Sequence, residues 1–98
     1  MIKDKLLDAP QTQLTAAGDA LFVCTHAGGE VFLAGDFNEW NPRSHRMTRK
    51  DGCFQRRVKL APGAHEYKFV VDGEWQIDPN AVEQRPNEFG SMNSVIRV

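Results

Sequence analysis

Residues Gly63 to Pro79 read GAHEYKFVVDGEWQIDP, and the fold is decided here. Successive side chains of a strand point to opposite faces. His65, Tyr67, Phe69 and Val71 therefore share one face and fill a core, while Glu66, Lys68 and Val70 share the outward face. Asp72-Gly73 then separates two extended runs. Asp-Gly is a strong hairpin signal, because a type I′ turn needs positive φ at both central residues. A two-residue loop sets the register: Val71 opposite Glu74, Val70 opposite Trp75, Phe69 opposite Gln76 and Lys68 opposite Ile77. Directly opposed residues share a face, so Trp75 faces outward with Lys68 as its diagonal neighbour. An exposed indole beside a long donor is the feature that calls for a function.

Further strands lie on either side of this hairpin. Leu21 to Thr25 is β-branched and aromatic. Val31 to Ala34 is almost wholly apolar and reads as a strand that is buried on both faces or central, and Gly28-Gly29 between the two runs predicts a hairpin. Gly35 to Pro42, GDFNEWNP, mixes turn formers with two aromatics and reads as an ordered loop, with Phe37 as its anchor and Trp40 carried outward. Ser44 to Thr48 reads as a short edge strand, and Arg49 to Gly52 as a turn. From Phe54 to Leu60 apolar and polar residues alternate, with Arg56 breaking the apolar face. Asn80 to Gly90 is a long polar loop whose length suggests function, and Ser94 to Val98 is a closing strand. Apolar spacing of 3.6 residues never persists beyond two turns. Short strands between closely spaced turn signals predict an all-β, antiparallel sandwich.

Composition excludes several classes. Ninety-eight residues suffice for one domain with a real core, and the 41% hydrophobic fraction is that of a globular chain. The net charge is −1 with both signs along the chain, which gives no electrostatic case for nucleic acid or an anionic membrane as partner. The N-terminal MIKDKLLDAP lacks the apolar core of a secretory signal, so the expected location is cytoplasmic. Residues 1–18 read as an arm of undetermined structure and residues 19–98 as the module. Cys24 and Cys53 have no metal-ligand spacing and read as buried thiols rather than a bridge. His26, His45 and His65 are scattered. Asp36, Asp72 and Asp78 sit in turns, where aspartate is favoured for backbone reasons. With no paired-carboxylate site, phosphate loop or nucleophile elbow, catalysis is not expected, nor is a cofactor or metal.

Three segments carry a resemblance: VFLAGDFNEWNP (Val31 to Pro42), HEYKFVVDGEWQIDP (His65 to Pro79) and NEFGSMNSVIRV (Asn87 to Val98). Over residues 19–98 the chain resembles the glycogen-binding carbohydrate module of the AMP-activated protein kinase β subunit. Related domains precede the catalytic domains of isoamylases and branching enzymes. The resemblance implies an immunoglobulin-like β-sandwich of the early-set type that binds α-1,4-linked glucan. It places the two sugar-stacking tryptophans on Trp40 and Trp75, the lysine on Lys68 and the asparagine on Asn93. The apolar residue that inserts against the glucan falls on Phe89, where the kinase subunit has leucine. The neighbouring hydroxyl falls on Ser91, where it has threonine.

Each residue has a plainer reading. A lone tryptophan is more often core or unremarkable surface. Here the register exposes Trp75, the loop exposes Trp40, and a flat indole covers the apolar face of a sugar at little entropy cost. Lys68 alone would be a solvated strand lysine, Asn93 a turn residue and Phe89 a core residue, while Asn38 and Glu39 suit organising their loop. The leading expectation is a non-catalytic α-glucan-binding module for glycogen, starch or maltooligosaccharide, with a glycogen-metabolism enzyme or kinase as a second partner. The alternative is a structural or protein-interaction domain that meets a protein through the same aromatic patch.

Overall fold

The Asp72-Gly73 turn forms as the sequence predicts. Both residues have positive φ, 50° and 88°, and they join β6 (Ala64–Val71) to β7 (Glu74–Gln76). Val71 faces Glu74, Val70 faces Trp75 and Phe69 faces Gln76. The ladder stops there, so the expected Lys68–Ile77 pair is not part of it. On its other edge β6 pairs with β3 (Val31–Gly35). The first half of β6 pairs with β9 (Met92–Arg97), which carries β8 (Glu83–Pro86) at its outer edge. A second sheet has the order β1 (Gln13–Leu14), β2 (Ala20–Cys24), β5 (Cys53–Val58) and β4 (Thr48–Lys50). Every pairing is antiparallel. The computed structural model describes residues 11–25 and 28–98. The readings of residues 1–10 and of His26 lie outside the described residues.

The two sheets form a β-sandwich, and the predicted parity fills its core. Tyr67, Phe69 and Val71 from β6 meet Phe22 and Cys24 from β2, Val31 and Leu33 from β3, and Phe54 from β5. Phe22 meets Tyr67 edge to face, with ring centroids 4.7 Å apart. Cys24 and Cys53 are both buried. His65 shares this parity at the strand's outer end, with its Nε2 2.7 Å from the Ala61 carbonyl oxygen.

A buried aspartate ties the sheets together. Asp78, just past β7, is 1% exposed. Its Oδ2 accepts from the Tyr67 and Thr12 hydroxyls, each at 2.7 Å. Its own N–H donates to the Ser94 hydroxyl at 2.8 Å. Burial, together with the neighbouring Asp78 charge, pushes the Tyr67 phenol far above its ordinary range, so it acts as a neutral donor.

Three connections differ from the sequence reading. Gly28-Gly29 does not close a hairpin: β2 pairs with β1 and β5, whereas β3 pairs with β6 in the other sheet. Both strands have buried apolar faces, and those faces meet across the core instead of edge to edge. The connection is held from the opposite hairpin, where the Asp72 carboxylate accepts the Gly29 N–H at 3.1 Å and the Glu30 N–H at 2.9 Å. The edge strand expected over 44–48 divides between the sheets. His45 and Met47 bond the backbone of β3, with Arg46 opposite Phe32, before the chain enters β4 at Thr48. The 80–90 segment is not a continuous loop, since Glu83–Pro86 forms β8. No hydrophobic alternation is visible in EQRP because its side chains make polar contacts beside the ladder with β9: Glu83 takes Arg97 at 2.9 Å, and Arg85 takes Glu66 at 3.2 Å. The charges also mix less evenly than the net value suggests. Seven of the twelve Lys and Arg residues fall within 43–59, where Asp51 is the only acid.

Candidate functional site

The groove begins with the outer face of the β3–β6–β9–β8 sheet. Glu66, Lys68 and Val70 on β6 share that face with Trp75 on β7 and with Asn93 on β9. Trp75 stands opposite Val70, which is itself covered, and keeps 46% of its surface exposed. Lys68 lies one step diagonally away, as the register predicts, and its Nζ donates to the Ser91 hydroxyl at 3.0 Å.

The GDFNEW loop brings in the second indole. Asp36–Asn38 forms one 3₁₀ turn after β3. Phe37 turns inward, its ring centroid 5.5 Å from that of Phe22. The Asn38 side chain holds the turn, accepting the Gly35 N–H at 2.9 Å and donating to the Leu33 carbonyl at 3.0 Å and the Ser44 hydroxyl at 3.1 Å. Glu39 and Trp40 then both adopt φ of 57°, the left-handed region that side chains disfavour. The Trp40 N–H closes the turn on the Gly35 carbonyl at 2.8 Å. Gly35 is required because a Cβ would sit 2.7 Å from the Glu66 carbonyl oxygen and would collide with the Phe37 ring. The Asp36 carboxylate accepts the Glu66 N–H at 2.9 Å, docking the turn onto β6.

Beyond β8, Asn87 closes a tight turn. Its N–H donates to the Ser91 carbonyl at 2.9 Å, and its side-chain Oδ1 accepts the Phe89 and Ser91 N–H groups at 2.9 and 3.1 Å. The turn holds Phe89 out into solvent, 85% exposed.

The three segments enclose one groove of about 610 Å³. Trp40, Lys68, Trp75, Phe89, Ser91 and Asn93, all six residues singled out from the sequence, line it together. Asn93 is more deeply set than a turn residue would be, at 8% exposed, and its amide is bonded on both sides. Sequence reasoning missed Asp36, Glu66 and Asn87 as lining residues. For Glu66 a signal existed, since it shares the outward parity of Lys68.

This arrangement suits adsorption of a flat, partly apolar and hydroxyl-bearing ligand. Apolar rings flank the groove, and a few donors and acceptors sit between them. The carboxylates of Asp36 and Glu66 are occupied in holding backbone and side-chain N–H groups. Among the described residues no cluster of three or more His, Cys, Asp or Glu could hold a metal ion.

The family described as the glycogen recognition site of AMP-activated protein kinase matches residues 19–98. The chain is 37% identical over 82 residues to 5'-AMP-activated protein kinase subunit beta-1 of Sus scrofa, covering 84% of this chain and 65% of the relative. Against the Homo sapiens subunit the identity is also 37% over 82 residues, covering 84% of this chain and 29% of that protein. Protein PTST homolog 2, chloroplastic, of Arabidopsis thaliana is 34% identical over 77 residues, covering 79% of this chain and 14% of its own length. The chain thus spans less than two thirds of each.

Proposed function

The chain belongs to the family of the glycogen recognition site of AMP-activated protein kinase, and from that premise we propose that it is a non-catalytic module binding α-1,4-linked glucan in the groove. Trp40 and Trp75 stack on the apolar faces of successive glucose units, and Phe89 presses against the ligand from the opposite turn. Lys68, Ser91 and Asn93 bond hydroxyls. The observation that carries this reading is the convergence of the six residues on one groove, with Trp75 and Phe89 left open to solvent. Phe89 shares the groove with Trp40 and Trp75, and it is such a grouping of apolar rings, rather than one exposed ring, that marks a binding surface.

The energetics are modest. About 100 Å² of apolar surface covered on each indole contributes roughly 2–3 kcal/mol at about 25 cal/mol per Å². Two such platforms, less the cost of association, give a Kd between about 1 mM and about 10 μM. A neutral ligand makes no charge pair, so the affinity changes little with salt. The pig and human relatives are named as subunits of a kinase. A kinase or glycogen-metabolism enzyme is accordingly the partner that the module would bring to the glucan.

The test is a tryptophan fluorescence titration with maltoheptaose or β-cyclodextrin, on the wild type and on Trp75→Ala. The expected result is a saturable change in the wild type and at least a tenfold weaker one in the variant, about 1.4 kcal/mol, with the melting curve unchanged. A flat wild-type titration to about 10 mM ligand, well past millimolar affinity, would refute the glucan reading and leave the aromatic groove as a protein contact.

A further inference from the structure

The Asn93 amide sits at the middle of a hydrogen-bond chain whose direction is fixed at both ends. At one end are the backbone N–H groups of Phe89 and Ser91, which can only donate. They point at Asn87 Oδ1, at 2.9 and 3.1 Å. Asn87 must therefore turn its Nδ2 the other way, where it donates to Asn93 Oδ1 at 3.0 Å. Asn93 in turn directs its own Nδ2 to Glu66 Oε1 at 2.9 Å. At the far end an ionised carboxylate can only accept. Its second oxygen takes the Arg85 guanidinium at 3.2 Å, which can only donate.

We infer that Asn87 and Glu66 are positioning residues, which lock the Asn93 amide in one of its two orientations and so set the hydrogen-bonding pattern that the groove offers to a glucan. An amide has two N–H donors and two acceptor lone pairs. One of each is used within the chain, which leaves one donor and one acceptor. Adjacent hydroxyls of a pyranose present the complementary pair. Without the two neighbours the amide would rotate between orientations, and ordering it would fall to the ligand. The inference rests on the reading of the groove as a glucan site.

Asn87→Asp is the informative change. The new carboxylate still accepts the Phe89 and Ser91 N–H groups, so the turn is kept. It can no longer donate to Asn93, whose amide is then asked for N–H by both neighbours. Adding Glu66→Gln supplies a donor on the other side, so the whole chain can reverse with every bond satisfied. Sugar hydroxyls both donate and accept, so a locked amide of either polarity serves them. Titrations with maltoheptaose are expected to show Asn87→Asp weakened on the order of fivefold, the loss of about one hydrogen bond. Asn87→Asp/Glu66→Gln should return to within about twofold of the wild type. In an Asn93→Ala background, Asn87→Asp should cause no further loss.

A purely structural role for Asn87 would instead show as a lower melting temperature, with no rescue of affinity from position 66. The inference is overturned if Asn87→Asp binds like the wild type, or if the double variant binds no better than Asn87→Asp. Should Asn87→Asp not fold, Glu66→Leu examines the other end of the chain. It is expected to weaken binding on the order of fivefold, and wild-type affinity there would overturn the inference. Wild-type protein that fails to bind maltoheptaose refutes the glucan reading and this inference with it. Normal wild-type binding with indifferent variants refutes this inference alone.

Discussion

The backbone at Trp40 allows a test by sign. Trp40 has φ of 57°, where an L-residue costs roughly 1–2 kcal/mol and glycine almost nothing. Consider Trp40→Ala and Trp40→Gly side by side. Both lose the same half-buried indole, so that loss cancels in the comparison. Alanine keeps the left-handed strain. Glycine relieves it, but has about 0.4–1 kcal/mol more chain entropy to lose on folding. The balance favours Trp40→Gly by about 0.5–1 kcal/mol, the reverse of the usual order at an ordinary position. For a chain of this length that is a melting-temperature difference of roughly 2–8 °C, readable by circular dichroism. Trp75 remains as the fluorescent reporter for maltoheptaose, and both variants should bind weakly and alike. A more stable Trp40→Ala would refute the argument, because the loop would then not be holding Trp40 against its backbone preference. The expected outcome would instead show strain retained to aim an indole at the groove.

Two further expectations concern the scaffold. Asp78→Ala removes the acceptor of the buried Tyr67 hydroxyl and the part-buried Thr12 hydroxyl and should cost roughly 3 kcal/mol or more, whereas Tyr67→Phe removes one donor and should cost about 1–2 kcal/mol; urea unfolding that ranks them the other way would remove Asp78 as the tie between the sheets. His45 is held below its ordinary pKa, first by burial and then by the Arg56 charge, while its Nδ1 faces the Ser44 hydroxyl at 3.0 Å and the Asn38 amide at 3.4 Å. The unfolded chain therefore takes up this proton more readily, so stability is full above about pH 6.5 and falls as the pH drops below it; His45→Ala should flatten the melting-temperature change between about pH 7.5 and 5.5, and an unaltered slope would count against this.

The sequence is most legible where structure is local. The β6–β7 hairpin can be read to the residue because Asp72-Gly73 fixes the register and the parity of Tyr67, Phe69 and Val71 fixes the face. Gly28-Gly29 misleads because β2 and β3 are both apolar, and nothing between residues 20 and 35 states which strand each will pair with. That choice is made by β5 and β6, whose paired residues lie 30 to 40 positions further along the chain. β8 is hidden for a different reason. Its backbone ladder with β9 does not depend on side-chain type, and its charged side chains pair with β6 and β9, which leaves no alternating hydrophobic trace.

The aromatic half of the groove could be found in sequence because the hairpin register turns Trp75 outward and the GDFNEW motif supplies a second indole. Of its polar half, Lys68, Ser91 and Asn93 are reached through the motif resemblance, but the parts of Glu66 and Asn87 are not, because a glutamate on a strand and an asparagine in a turn look ordinary until Asn93 is seen between them. That half also bears on affinity. Lys68 is already bonded to Ser91, and Asn93 to Asn87 and Glu66, before any ligand arrives. The groove therefore has little side-chain freedom to lose on binding, which strengthens association. The same bonds occupy part of its donor and acceptor capacity, so each polar contact adds little beyond what water already supplied. Stacking is left as the larger contribution, and it scales with the number of glucose units that reach both indoles. Chains long enough to span Trp40 and Trp75 should accordingly bind far more tightly than maltose, and the gain should vanish in either tryptophan variant.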